Sequence, residues 1–410
     1  MLITNIKYLI NVKEENALLR GSALADLPIL ENAFLKIEDE KIQDYGLMLD
    51  LKEDDFKHEI YDVKQASILP TWCDSHTHLV FAATRENEFV DKIKGLSYAD
   101  IAAKGGGILN SAKLLNETSE EILLAQAQHR LNELMQLGTG AIEIKSGYGL
   151  SVEGELKMLR VIQQLKQQNK IPIKATLLGA HAFPEKYITN RKAYIDLIIN
   201  EMLPLISQEK LADYIDVFCE VGFFTQEETE QICLAGIEYG LKPKIHANQL
   251  NNSGGVQAGV KCNAISVDHL ETIDEEEIQL LSNHSSPIAT LLPNCSFFLR
   301  MQYPPARKLI ENNTAIALAS DFNPGSAPSG NMNFVLSLAC IQMKMLPQEA
   351  INAATINGAF AMEVQDEVGS ITKGKRANLI FTKSIPSINF LPYNFGTSFI
   401  DRVMLNGSFI

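Results

Sequence analysis

The chain has 410 residues, 46% of them hydrophobic and 21% charged, which supplies apolar material for a large soluble core and exceeds one average domain. Its formal net charge of -14 excludes the basic surface that nucleic acid requires, and it obliges any anionic small substrate to find a local cation. No stretch approaches the roughly eighteen apolar residues of a spanning helix, and polar residues break every apolar run of the opening segment MLITNIKYLINVKEENALLR, so neither membrane span nor signal peptide is expected. The six cysteines, Cys73, Cys219, Cys233, Cys262, Cys295 and Cys340, are scattered without a C-x-x-C pair. That spacing suits neither a zinc knuckle nor a disulfide framework and points to reduced thiols in a cytoplasmic protein.

Residues 1–66 show short apolar segments separated by turn signals, and AFLKIEDEKIQDYG reads as strand, turn, strand. From 67 to 369 the pattern changes. Short runs rich in Val, Ile and Ala, namely SILPTWCDSHTHLVF, GAIEIKSGYG, IKATLLGAHAF, YIDVFCEVGF, KPKIHANQL, AISVDHLE, PIATLLPN and AIALASDFNPG, alternate with longer segments of helical period. One such segment, SEEILLAQAQHRLNELMQLG, opens on a Thr-Ser cap with acidic residues in its first turn and closes on glycine. Eight strand–helix units match a (β/α)8 TIM barrel, an α/β fold. A doubly wound sheet is the alternative, but the Gly-rich nucleotide turn it needs is missing. Residues 370–410 return to the character of the first segment, with VGSITKGKRANLIFTK and FIDRVMLNGSF, so both chain ends are expected to build one small β domain.

The unusual residues fall at the ends of these runs. His76 and His78 stand two apart near the end of the first run, so both imidazoles face the same side of a strand. His181 ends the third run, His246 the fifth, His269 the sixth and Asp321 the eighth. Barrel active sites gather at the C-terminal ends of the strands, so these side chains share one rim. Two imidazoles from one strand, a third from another and a carboxylate are a donor set for zinc or iron with a position left for water. His76, His78, His246 and Asp321 are therefore the expected ligands of one divalent or ferric ion per subunit. His58, His129 and His284 lie on stretches read as exposed or helical and have no such company. The run Gly105-Gly106-Gly107 lacks the Lys-Ser/Thr ending of a phosphate loop and reads instead as a loop over the barrel mouth.

The order H-x-H, His, His, Asp resembles the amidohydrolase superfamily. That resemblance implies a small β-sandwich made from both chain ends, 1–66 plus 370–410, with Gly374-Lys375-Arg376-Ala377-Asn378-Leu379-Ile380 similar to a segment common there. Binuclear members bridge two metals with a lysine after strand four. The matching run DVFCEVGF offers Asp216, Cys219 and Glu220 but no lysine, which favours one metal. Within the superfamily the chain is similar to the imidazolonepropionase family, through H-T-H-L-V-F-A with Arg85 and Glu88-Phe89 beyond it, G-G-G-I (105–108), and K-S-G-Y-G-L (145–150) followed by E-x-K-M-L-R. L-G-A-H-A (178–182), D-V-F-C-E (216–220), V-D-H-L-E (267–271) and D-F-N-P-G-S (321–326) complete the match.

The resemblance implies hydrolysis of the ring amide of 4-imidazolone-5-propanoate to N-formimidoyl-L-glutamate, in a homodimer. It also implies roles. His269 and Asp321 share the proton transfers, and Arg85 clamps the anionic propionate tail, for which a bidentate guanidinium is suited. Tyr148 and His181 bind the ring, Gln249 its amidine edge, and Asn323, Gly325 and Ser326 contact substrate or product, with Tyr98 a further candidate. Two departures stand out. Pro70-Thr71 replaces the usual Pro-Gly before the H-x-H strand, and Gln249 stands where some relatives are acidic, so it hydrogen-bonds but cannot serve as a base. A deaminase of the same superfamily, acting on an amino-substituted heterocycle, would use the same metal and His269 without needing Arg85. The compact zinc deaminases are excluded, since neither H-x-E nor P-C-x-x-C occurs. A non-catalytic scaffold on this fold would have no reason to keep every ligand.

Overall fold

The structure, a computed structural model, describes residues 1–96, 100 and 104–410; the candidate Tyr98 lies outside them. The chain opens with β1 (Leu2–Ile10), β2 (Ile29–Glu38), β3 (Lys41–Leu47), β4 (Ile60–Asp62) and β5 (Ile68–Pro70). Then come β6 (Trp72–Thr77), β7 (Thr139–Lys145), β8 (Ile173–Ala180), β9 (Tyr214–Cys219), β10 (Lys242–Ala247), β11 (Ser266–His269), β12 (Ile288–Leu291) and β13 (Ile316–Leu318). These strands pair with their neighbours in parallel from β6 to β13. Nearly every residue in them is buried, as expected for parallel strands covered by helices on one side and filled by side chains on the other. Their continuous apolar runs follow from that double burial.

The ring closes between its first and last strands. Thr77 bridges Phe322 in parallel, the Asp321 amide donates to the His76 carbonyl at 3.0 Å, and the His78 amide donates to the Phe322 carbonyl at 2.9 Å. Among the described residues the barrel therefore has eight parallel strands, as the alternation of runs and helical segments predicts. Closure removes the unpaired edges that an open sheet would expose.

The chain ends meet as expected. β14 (Leu379–Thr382), β15 (Ile400–Leu405) and β16 (Ser408–Phe409) join β1–β5 in one mixed sheet, β14 pairing antiparallel with β5 and β5 parallel with β1. This sheet has its own core of Ile3, Ile6, Leu35, Ile68, Leu379, Phe381 and Met404, distinct from the larger core around the barrel. It includes Ile68–Pro70, so the chain passes from small sheet to barrel within two residues. Thr71 makes that step. Its amide donates to the Asn378 carbonyl at 3.1 Å, and a Cβ on Gly140 would stand 2.0 Å from its hydroxyl, so the Pro70-Thr71 departure is accommodated by bare backbone on the neighbouring strand.

Helix boundaries obey local chemistry. Glu120–Gln136 is capped by the Ser119 hydroxyl accepting from the Ile122 amide, and the chain leaves it through Gly138 at φ 97°, a left-handed conformation that suits glycine. Among the described residues no helix is long and apolar enough to cross a membrane. The helix Ile356–Ala361 packs on β6, where a Cβ on Gly358 would lie 2.4 Å from the Cys73 carbonyl. Gly358→Ala must push that strand aside. We expect it to cost about 1–3 kcal/mol of stability through overpacking, measured by denaturant unfolding; an unchanged midpoint would show that β6 gives way freely.

Candidate active site

The rim residues expected from the sequence do converge. Parallel register sets His246 beside Asp268 and Ala247 beside His269. Ligand atoms of His76, His78 and His246 all lie within 4.8 Å of one another, and so do those of His76, His269 and Asp321. Asp321 Oδ1 is 3.5 Å from Nε2 of both His76 and His78, and Nε2 of His246 is 3.4 Å from Nε2 of His78. All five side chains are almost completely buried. His269 and Asp321 reach the cluster with φ of 86° and 55°, a left-handed backbone that non-glycine residues rarely adopt. Sequence patterning gives no sign of that.

Burial decides the charge states. It drives His76 well below its ordinary pKa, with Lys145 and the neighbouring imidazoles adding to the effect. It lowers His246 to about 4, although Asp216 opposes the shift. His181 is also driven well down by burial. These rings are neutral near pH 7, the form that donates a lone pair. For Asp321 burial raises the pKa, but His78, His269 and His246 outweigh it and hold the carboxyl below its usual range. His269 goes the other way. Burial lowers it, yet Glu271, Asp321 and Asp268 together raise it above an ordinary histidine. Nε2 of His76 is buried without a hydrogen-bond partner. A buried lone pair left bare beside two more imidazoles and a carboxylate suits a metal ion.

The cluster floors a cavity of about 600 Å³ whose wall includes His78, His246, His269 and Asp321, together with Arg85, Tyr148, His181, Gln249, Asn323, Gly325 and Ser326. Arg85 Nε donates to the Ser111 hydroxyl at 2.9 Å, whereas its Nη2 is buried with no partner among the described residues. Gly325 makes room for it, since a Cβ there would stand 2.5 Å from Arg85 Nη1. The His181 ring stacks on His78 at 5.4 Å, and its Nδ1 lies 3.0 Å from the Gly147 carbonyl. Tyr148 is 5.6 Å from His181, centroid to centroid, and burial pushes its phenol pKa up. Gln249 Nε2 donates to Cys295 Sγ at 3.1 Å. The Asn323 side chain is taken up within its own loop, accepting from the Gly325 and Ser326 amides at 2.8 Å and donating to the Asp321 carbonyl at 2.7 Å.

Several residues at the site escape sequence reading. Glu155, wholly buried, accepts from the amides of Gly147, Gly149 and Leu150 at 2.8–2.9 Å and so shapes the loop that presents Tyr148. Glu220, which the sequence offers only as a possible ligand, accepts from the Leu250 and Asn251 amides at 2.8 and 3.2 Å and steadies the loop carrying Gln249. Lys92 donates to the Gly325 carbonyl at 3.2 Å. Phe218 and Phe223, with ring centroids 4.7 Å apart, supply part of the apolar wall. A carboxylate six residues past a Gly-x-Gly turn is a signal that was open to reading; the aromatic wall is not, because its members look like ordinary core.

The amidohydrolase family model matches residues 67–410. An imidazolonepropionase of Flavobacterium johnsoniae is 57% identical over 412 residues, covering 100% of this chain and 99% of the relative. That of Christiangramia forsetii is 55% identical with complete coverage of both. The chain belongs to the imidazolonepropionase family. A more distant member from Alkaliphilus metalliredigens is 37% identical across the whole chain and 97% of the relative. Among solved structures, a triazine hydrolase variant superposes with a TM-score of 0.75 at 16% identity, covering 100% of this chain and 94% of the other. The guanine deaminase of C. acetobutylicum reaches 0.71 at 15%, covering 100% and 99%. At such identities these two show the shared fold alone. A hydrolase family, a barrel with its rim of histidines and a cavity sized for a small molecule thus agree, and the His/Asp cluster suits a metal ion.

The neutral, buried His246 has a consequence for stability. Its folded pKa of about 4 lies below the 6.5 of an unfolded imidazole, so the unfolded chain gains a proton that the folded chain refuses. Its contribution is full above pH 6.5 and is lost as pH falls towards 4. The metal-free protein should show a melting temperature that declines across that window, less steeply in His246→Gln. An equally steep profile in the variant would remove His246 from the account.

Proposed function

We propose that this family member hydrolyses the ring amide of 4-imidazolone-5-propanoate to N-formimidoyl-L-glutamate, a step of histidine degradation. The observation that carries the reading is Nη2 of Arg85, buried without a partner among the described residues, on a side chain that lines the same cavity as the His/Asp cluster. A guanidinium donor left bare in a chain of net charge -14 is costly unless an anion meets it, and a carboxylate tail is that anion. A deaminase acting on an uncharged heterocycle leaves it unexplained.

His76, His78, His246 and Asp321 would hold one ion, zinc or iron, divalent or ferric. Bound there, it supplies Lewis acidity that polarises the ring carbonyl and lowers the pKa of an attacking water towards ~7. Tyr148 and His181 frame the planar ring, and Gln249, already donating to Cys295, turns its amide oxygen to the amidine edge. Asn323, with both ends of its amide engaged, keeps Gly325 and Ser326 in the loop against Arg85. As water adds to the carbonyl carbon, the Asp321 carboxylate takes a proton from it. His269, kept protonated more readily by Glu271, donates to the developing oxyanion, a contribution on the order of 3 kcal/mol. The ring C–N bond then breaks, and Asp321 returns the proton to the leaving nitrogen.

The same reading divides the chain into a barrel over 67–369 and a small β domain of 1–66 plus 370–410, except that Ile68–Pro70 pairs in the small sheet and shares its core, so the step into the barrel falls at Thr71. All six cysteines are free thiols, which supports placement in the reducing cytoplasm.

Purified protein should abolish the ultraviolet absorbance of imidazolone propionate and lose that activity to a chelator. Persistence of the absorbance, with ammonia released from an aminopyrimidine or aminopurine instead, would favour the deaminase. Arg85→Ala should raise KM by roughly 10- to 100-fold, the loss of a charged hydrogen bond, with a smaller effect on kcat. His269→Ala should lower kcat by at least about 100-fold. Unchanged KM in Arg85→Ala would end the tail-clamp reading.

A further inference from the structure

Directly beneath the rim histidines the barrel interior holds a layer of charge. Glu143 and Lys145 on β7, Asp216 on β9, Lys244 on β10 and Asp268 on β11 are all fully buried. Lys145 Nζ lies 2.6 Å from Glu143 Oε1, 2.8 Å from Asp216 Oδ2 and 3.8 Å from Asp268 Oδ2. Lys244 pairs with the other oxygen of Glu143 and donates to the Ser75 carbonyl at 2.9 Å. Two ammoniums against three carboxylates leave the layer negative by one charge. Burial alone would strip the proton from Lys145, but Asp216, Glu143 and Asp268 raise its pKa further, so it stays charged.

Such a cluster is poor value as packing. Desolvating five ionisable groups costs several kcal/mol each, and apolar residues of similar size commonly serve stability as well or better. What the layer touches gives its use. Asp268 Oδ2 is 2.6 Å from Nδ1 of His76, while its other oxygen accepts from the Ser266 hydroxyl at 2.5 Å. Asp216 Oδ2 is 2.9 Å from Nδ1 of His246, an ion-pair distance without hydrogen-bond alignment, while Oδ1 accepts from the His246 amide at 3.1 Å. Each carboxylate thus faces one imidazole Nδ1 and shares the same ammonium. A carboxylate at Nδ1 requires the proton on that nitrogen and leaves Nε2 as the lone pair. Nε2 of His76 has no partner among the described residues, and Nε2 of His246 lies 3.4 Å from Nε2 of His78 in the ligand cluster.

We propose that Lys145 is a positioning residue: braced by Glu143 and Lys244, it ties Asp216 to Asp268 and thereby fixes His246 and His76 as Nδ1–H tautomers with Nε2 turned to the metal. One ammonium sets two ligands from different strands at once. Lys145 itself touches neither substrate nor metal ligand. The inference rests on the metal reading of the same site.

The test is metal affinity of the full chain, measured with Co(II) alone by chelator competition and by its visible absorption spectrum, beside the melting temperature of the metal-free protein. Lys145→Met should bind Co(II) 10- to 100-fold more weakly, the usual effect of removing the partner that orients a ligand, with a changed ligand-field spectrum. Unchanged affinity, whatever happens to the melting temperature, would make the layer structural only and overturn the proposal. Tighter binding would overturn it differently, by showing Lys145 to be merely a repelling neighbouring charge. Should Lys145→Met fail to fold, nitrogen-15 NMR of the unaltered metal-free chain carries the test: His76 and His246 must both show a protonated Nδ1, and an Nε2–H form of either refutes the idea. An unaltered chain that takes up no Co(II) would instead overturn the metal reading itself.

Discussion

Keeping charged groups out of water is the constraint on which the barrel mouth depends. The rim carboxylate Asp321, the carboxylates of Asp216, Asp268 and Glu143, and the ammoniums of Lys145 and Lys244 are all buried. Such groups persist only if each has partners, because an unpaired buried charge is far more costly than an unpaired surface one. Parallel strands solve this by register. Residues two apart on one strand face inward together, so Glu143 stands with Lys145, and Lys244 with His246. Neighbouring strands then set His246 against Asp268 and Lys244 against Asp216. The imidazoles of the rim and the charged layer beneath them come from the same pleat.

Backbone shape adds a second requirement. His269 and Asp321 both enter the cluster in left-handed conformations, and the surrounding bonds hold them there. The Asp321 amide is fixed by the His76 carbonyl, and the Ser320 before it is tied through its amide and hydroxyl to the buried Asp74, at 2.9 and 2.6 Å. The hydrogen bonds that close the ring of strands are therefore the ones that set the position of the rim carboxylate. Fold closure and site geometry are one feature here, and a perturbation of β6, such as a side chain at Gly358, reaches both.

Much of the site was legible because its chemistry uses rare residues in strict positions. His76, His78, His181, His246, His269 and Asp321 each end a strand-like run, and strand ends on one side of a barrel converge by topology alone. Arg85 was placed among them by the family resemblance, since an isolated arginine after a strand otherwise reads as a surface charge. The charged layer was harder to see. Glu143 and Lys145 sit in GAIEIKSGYG, and Lys244 in KPKIHANQL, where a charged residue in a short strand reads as an exposed edge or strand end. Only closure of the ring turns that face inward. The brace role of Glu220 was hidden for another reason: its work is to accept backbone amides, and any acidic residue at a strand end resembles it.

By itself, then, the sequence determined the eight alternating units, the strand character of both chain ends and the identity of the rim histidines, because period, turn chemistry and residue type are local properties. Tertiary structure decided that Nε2 of His76 is left bare, which cation meets which carboxylate, and that one buried Arg85 donor has no partner among the described residues. Those depend on differences of a few tenths of an ångström in contacts between residues far apart in the chain, 192 positions for His76 and Asp268. No local pattern encodes such distances; closure of the barrel does.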